Sequence, residues 1–269
     1  MRSLTKFLFL LGCCLLFSWT AVLAQPGDTS ALPFAPGETM TYEAKISRLK
    51  ISITVADLEF SLDKIPDSPN YLIRTSTRSK GTLLKIFRYS FLQEFESIVD
   101  FPASRIIKTT KHDVQKDRVR NSVAEFDYLQ NRVIFVETDP KNSTRPPRRI
   151  ASKIGDEVYD LVSAIYSLRT LPLAVGKSFE VTMSDSGLVY NIPVRVTGRE
   201  QQKSILGKQL CWRIEPQIFG KGRVIEQKGN MTMWFTDDDR RLPVRALMNT
   251  TYGKIDVRLK SVNNSKLTP

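Results

Sequence analysis

This chain of 269 residues has few of the groups that usually do chemistry. Its one histidine is His112, followed by Asp113. A histidine and an aspartate beside a serine nucleophile would suit acyl hydrolysis. Such a triad is set by geometry, however, and no Gly-x-Ser-x-Gly elbow accompanies it. Asp237-Asp238-Asp239 gathers oxygen ligands but lacks the spaced donors and closing glutamate of a calcium loop, so it reads as a hairpin turn. Zinc would need several carboxylates beside one histidine and one cysteine, and no such spacing occurs. No glycine-rich loop is present to cradle phosphate, and no cofactor is expected. Cys211, next to Trp212, reads as a small buried hydrophobe.

Four residues remain: Tyr166, Arg169, Trp234 and Arg241. Lining a cleft, two aromatics and two guanidiniums would hold an acidic amphiphile. Read structurally, Tyr166 and Trp234 fill a seam between helix and sheet, Arg169 complements a helix end, and Arg241 pairs with the Asp turn.

The elements that must position these residues are mostly strands. Met40, Tyr42, Ala44 and Ile46 alternate with polar residues, then Ile51, Ile53 and Val55 do the same. The phase slips at Leu58, Phe60 and Leu62, which requires a bulge near Ala56-Asp57. Further strand patterns run over 71–77, 89–99, 105–114, 119–128, 132–137, 178–183, 188–196, 210–217, 222–235, 243–251 and 254–260, with turn residues between them. Strands at short spacing without intervening helices argue for an antiparallel sheet. One segment differs: Val158, Leu161, Val162, Ile165 and Leu168 follow a helical rhythm, with Asp156 as cap and Pro172 as stop. This predicts a mainly β fold: one large curved sheet, or half-barrel, with an amphipathic helix over about 156–169 on its concave face. A single β-rich domain spans 25–269, ordered over about 34–262, with a basic proline-rich loop at 139–152.

The chain opens with Arg2 and Lys6, an apolar run from Phe7 to Phe17, and Val22-Leu23-Ala24 before Gln25. That is the pattern of a secretory signal peptide over 1–24, too short for a membrane span. Leu10-Leu11-Gly12-Cys13 offers a competing lipidation site at Cys13. Cleavage removes Arg2 and Lys6 from the 40 Lys+Arg, leaving 38 against 28 Asp+Glu, a net charge of +10. A basic exported domain favours acidic lipid or polysaccharide and disfavours nucleic acid. No other stretch is long enough to span a membrane.

Ser163-Ala164-Ile165-Tyr166-Ser167-Leu168-Arg169, with Leu171-Pro172-Leu173 and Gly176, resembles the bacterial envelope family catalogued as domain of unknown function 3108. The likeness extends to Phe34-Ala35-Pro36-Gly37-Glu38 with Tyr42, and to Trp234-Phe235-Thr236-Asp237-Asp238 with Arg241-Leu242-Pro243-Val244. Where members often have a glycine in the second strand, this chain has Ala56. The resemblance implies an exported protein without an assigned reaction. The strand grammar also looks like that of periplasmic lipoprotein carriers, which hold acyl chains under a half-barrel.

Three functional readings are open. The first is a periplasmic, non-catalytic protein that binds a hydrophobic or acidic amphiphilic ligand. The second is a scaffolding module of the envelope that contacts a protein partner through Lys141–Arg149. The third is a hydrolase using His112.

Overall fold

The computed structural model describes residues 32–48 and 51–263; the signal peptide and Cys13 lie outside the described residues. One antiparallel sheet holds fourteen strands. The first eight are β1 (Glu38–Arg48), β2 (Ile51–Lys64), β3 (Tyr71–Ser79), β4 (Phe91–Asp100), β5 (Arg105–Gln115), β6 (Arg118–Asp127), β7 (Arg132–Thr138) and β8 (Arg148–Lys153). The other six are β9 (Ser178–Asp185), β10 (Leu188–Ser204), β11 (Gly207–Pro216), β12 (Gly229–Thr236), β13 (Pro243–Thr250) and β14 (Gly253–Asn263). Their order is β8 through β1 and then β14 back to β9, so two meanders are joined along β1 and β14. The phase slip read from the sequence is a bulge: Ala44 pairs with Ala56 but Lys45 with Thr54, leaving Val55 as the extra residue.

Two helices accompany the sheet, α1 (Gly81–Phe87) and α2 (Leu161–Thr170). The short α1 is an addition to the single helix expected from the sequence. Nor does α2 begin at Asp156. Val158 and Tyr159 are extended and pair with Arg105 of β5 and Met183 of β9. The cap is Asp160, whose Oδ1 accepts from the Ser163 backbone N–H at 2.7 Å, while Ser163 Oγ accepts from the Asp160 N–H at 2.9 Å. This reciprocal capping box satisfies two donors that the helix start would otherwise leave unpaired. Asp160 Oδ2 also accepts from the hydroxyls of Ser97 on β4 and Thr109 on β5, which fixes the start of α2 against the sheet. Further boundaries differ from expectation, and β10 continues past 196 to Ser204. The basic loop ends at 147, because β8 starts at Arg148, and the strand expected from Gly222 starts at Gly229.

Since neighbouring strands run in opposite senses, their connections alternate between two ends of the sheet. At one end lie 65–70, 101–104, 128–131, 154–177, 205–206, 237–242 and the segment 32–37 that precedes β1. That end is solid. Tyr166 of α2 is fully buried and meets Phe34 edge-on, centroids 5.2 Å apart, while Phe34 packs on Phe101 at 4.7 Å. The guanidinium of Arg169 sits over both Phe34 and Tyr166. It grips Glu38 through both carboxylate oxygens, with Nη2 to Oε2 at 2.9 Å, and neither side chain has any exposed surface. It donates as well to the carbonyls of Pro33 and Arg240.

Removing one partner of a fully buried ion pair leaves an uncompensated charge, at a cost of about 3–5 kcal/mol. Glu38→Ala and Arg169→Met are each expected to lower unfolding stability by that amount in urea titrations. The double variant, which removes both charges, should be more stable than the sum of the two losses implies. Cys211 on β11 is fully buried, and burial pushes its thiol up to about 12. Alkylation by iodoacetamide at pH 8 should therefore be slow in the native protein and fast in denaturant, as followed by mass increase.

Candidate functional site

Away from the solid end the inside of the sheet is not filled. Between α2 and the concave face lies a cavity of about 310 Å³. Its walls come from both meanders: Leu58 and Phe60 of β2, for example, face Val181 of β9 and Ile192 of β10 across it. Leu161, Val162, Ala164, Ile165 and Leu168 present the apolar stripe of α2 to the same space. Several strands contribute mainly their stretch away from the solid end, whereas Met40 and Tyr42 of β1 and Pro243 of β13 bring the lining close to it. Leu58 and Phe60 line the cavity whereas Leu62 of β2, fully buried, does not; Thr75 and Thr77 line it whereas Ile73 of β3 does not. Ile218 and Ile225, from the 217–228 connection, complete the wall at the open end.

The lining is almost wholly apolar, and its exceptions are Tyr42, Thr75, Thr77, Gln93 and Arg245. The Tyr42 hydroxyl is committed to the Pro243 carbonyl at 2.9 Å. Arg245 turns its guanidinium away to Asp256 and over the Trp234 ring. Gln93 donates to Asp113, which also accepts from Gln115 and Arg118. Burial alone would raise the Asp113 carboxyl, but the hydrogen bonds from Gln93, Arg118 and Gln115 outweigh it and hold the group below the usual carboxylate range. A charged, fully engaged carboxylate thus stands beside the apolar space.

Methionine is the residue that reading for motifs passed over. Of six in the chain, all but Met1 line this cavity: Met40, Met183, Met231, Met233 and Met248. An unbranched, polarisable side chain repacks around irregular apolar shapes better than a branched one, which is why methionine recurs on adaptable binding surfaces. The signal was present in the period-two faces of four strands.

The structure does not bring Tyr166, Arg169, Trp234 and Arg241 into one cleft. Tyr166 and Arg169 lie in the solid end. Arg241 donates from Nη1 to the carbonyls of Arg169 and Leu171 and so caps the end of α2. The arginine that pairs with the Asp turn is Arg240, whose Nη2 is 2.7 Å from Asp238 Oδ2. Trp234 sits on the outer face of β12 with Thr232, opposite Met233, and donates to Glu200 at 2.6 Å. The parity of Met231, Met233 and Phe235 along the strand dictates that separation. Asp238 accepts from Thr236 Oγ1 and the Arg241 N–H, so the triple aspartate is a hydrogen-bonded turn. Among the described residues no three His, Cys, Asp or Glu side chains assemble as a metal set.

His112 and Asp113 are neighbours in sequence but project to opposite faces of β5. His112 Nδ1 lies 2.6 Å from Asn121 Oδ1 on the outer face, whereas Asp113 faces inward. A histidine oriented by the adjacent aspartate is therefore excluded by strand geometry.

The chain superposes on a β-barrel-like protein of domain of unknown function DUF1849 from Brucella abortus with a TM-score of 0.58. The two share 10% identity over 86% of this chain and 98% of that one, a likeness of fold alone. Weaker superpositions reach a Bacteroides fragilis protein described as exported, with a YmcC-like fold (TM-score 0.38, 9% identity, 87% and 98% covered). They also reach a Parabacteroides distasonis protein described as a lipoprotein (0.33, 9%, 86% and 98%). Neither of these two is close enough to bear on function. No curated protein matches by sequence. Among the described residues no helix is long and apolar enough to cross a membrane. The model of the family described as "Protein of unknown function (DUF3108)" matches residues 39–260, through both meanders and the helix between them, and the chain belongs to that family.

Proposed function

We propose that this chain is an exported envelope protein that binds a hydrophobic or amphiphilic ligand of acyl-chain type, without catalysing a reaction on it. The observation that supports this reading best is the methionine-rich cavity of about 310 Å³ between α2 and the concave face. Its size falls at the lower end of small-molecule sites, roughly 300–1,000 Å³. Among its polar lining groups Tyr42, Gln93 and Arg245 are already hydrogen-bonded to the protein, whereas each methylene buried in such a space contributes about 0.8 kcal/mol. The basic character of the domain and the signal-peptide pattern at 1–24 fit an acidic amphiphile met outside the cytoplasm.

Protein purified from the periplasm should carry co-purifying lipid, visible by native mass spectrometry and by organic extraction. Ligand-free protein that takes up no fluorescent fatty acid would remove the reading. Ala246 of β13 lines the cavity, and Ala246→Trp would occupy the volume of about four methylenes. We expect that variant to weaken fatty-acid uptake about a hundredfold while leaving the circular dichroism spectrum unchanged.

A further inference from the structure

The two ends of the sheet differ in charge as well as in packing. The described connections at the open end are 80–90, 116–117, 139–147, 186–187, 217–228 and 251–252. Together they hold nine lysines and arginines against three carboxylates, Asp117, Asp139 and Glu226. The connections at the solid end, with the segment 32–37, hold four basic residues against seven acidic ones. The excess of the chain's positive charge among its connections is therefore concentrated at the open end, where the 217–228 connection walls the cavity. Much of it is uncommitted: Lys85, Arg88, Lys221 and Lys228 are exposed and form no ion pair among the described residues.

Besides Leu188 at the start of β10, three large apolar side chains stand exposed in this same rim. Ile51 at the start of β2, Ile86 of α1 and Tyr252 of the β13–β14 turn are 68%, 58% and 63% exposed. They sit on contiguous elements. The Lys80 N–H ahead of α1 donates to Val55 of β2, and a side chain at Gly253 would meet the Ser47 carbonyl of β1 at 2.8 Å. Apolar tips flanked by unpaired cations match the chemistry of a bilayer surface: the tips enter the headgroup boundary, where aromatic tyrosine is also favoured, and the cations meet lipid phosphates.

We infer that the open end of the sheet docks on a membrane surface rich in anionic phospholipid, with Ile51, Ile86 and Tyr252 as inserted tips and the surrounding lysines and arginines as headgroup contacts. This surface stands on its own observations. Joined to the proposed acyl-chain ligand, it places the 217–228 wall of the cavity beside the source of acyl chains.

The test is flotation of the chain 25–269, which holds every described element, with vesicles of phosphatidylcholine alone or mixed with phosphatidylglycerol. Omitting 1–24 keeps the apolar leader from acting as an anchor. Binding is expected only with phosphatidylglycerol and should fall as salt rises. At about fivefold per cation near an anionic surface, the triple variant Lys85→Gln, Lys221→Gln, Lys228→Gln should weaken binding about a hundredfold. Ile86→Asp with Tyr252→Asp should abolish it, while Lys177→Gln, at the solid end, should change nothing. Equal binding to both vesicle types, no binding to either, or equal loss with Lys177→Gln would overturn the inference. So would capture by polyglutamate with no vesicle binding, which would make the rim a site for an acidic protein. Ile86, Tyr252 and the three lysines line no part of the cavity. Fatty-acid uptake should therefore persist in these variants, and docking and ligand binding can fail separately.

Discussion

The buried grip of Arg169 on Glu38 is the constraint on which the rest of the molecule depends. Both charges are fully removed from water, which in isolation costs several kcal/mol each. The cost is met only because the guanidinium donates to two carboxylate oxygens and to the carbonyls of Pro33 and Arg240 at once. Arg169 and these partners come from three remote parts of the chain, and none can shift without leaving a buried donor unpaired. Arg241 then closes the end of α2 from the same turn. The segment before β1, the end of α2 and the 237–242 turn are thereby locked to each other, and the first and last thirds of the sequence are held in one register.

That lock determines where the cavity is. A helix of ten residues is about 15 Å long, while a strand of fourteen residues such as β2 extends for about 45 Å. With its C-terminal end fixed to the solid end and its start fixed by Asp160 to Ser97 and Thr109, α2 covers only part of the concave face. The wide sheet needs more filling than one short helix supplies, so apolar space remains toward the opposite end. Small Ala164 on the helix and flexible methionines on the facing strands keep that space open and deformable instead of closing it. Tight packing is thus concentrated at one end of the sheet, and the apolar space extends from beside it toward the other.

The architecture was readable from the sequence because a strand with one face buried writes its burial in alternate residues, and the single change of rhythm near residue 160 marked the helix. Even the slip of phase in the second strand appears as a real bulge at Val55. The start of α2 was misplaced because Val158 is apolar for a different reason: it fills a β-bridge to β5. α1 was missed because its seven residues are too few for a period to declare itself. Glu38 was missed because a lone acid in a Pro-Gly turn reads as solvated, and only its distant partner at position 169 makes it core. Trp234 was grouped with Tyr166 by chemistry, although counting parity from Met233 would have separated them. For Val158 and Glu38 what was lost was information carried by partners far away in the chain, which no local pattern contains.

The seam between the two edge strands bears on how such a cavity is filled. An exposed edge pairs readily with other chains unless it is covered or charged. Here Tyr159 pairs with the outer edge of β9, its N–H donating to the Thr182 carbonyl at 3.0 Å, while Arg148, Arg149 and Lys153 place charge along β8. Where the β9–β10 turn meets β7 and β8, Gly187 lies so near that a side chain there would strike Phe135 at 2.6 Å. The sheet therefore comes round on itself by packing, and β8 and β9 share no ladder of hydrogen bonds. A closed ladder would fix the circumference through strand number and stagger. A seam held by side-chain contacts imposes no such limit, and a methionine-lined interior is suited to the same tolerance. On the proposed reading, tolerance for apolar guests of more than one shape rests on the unpaired seam as much as on the lining.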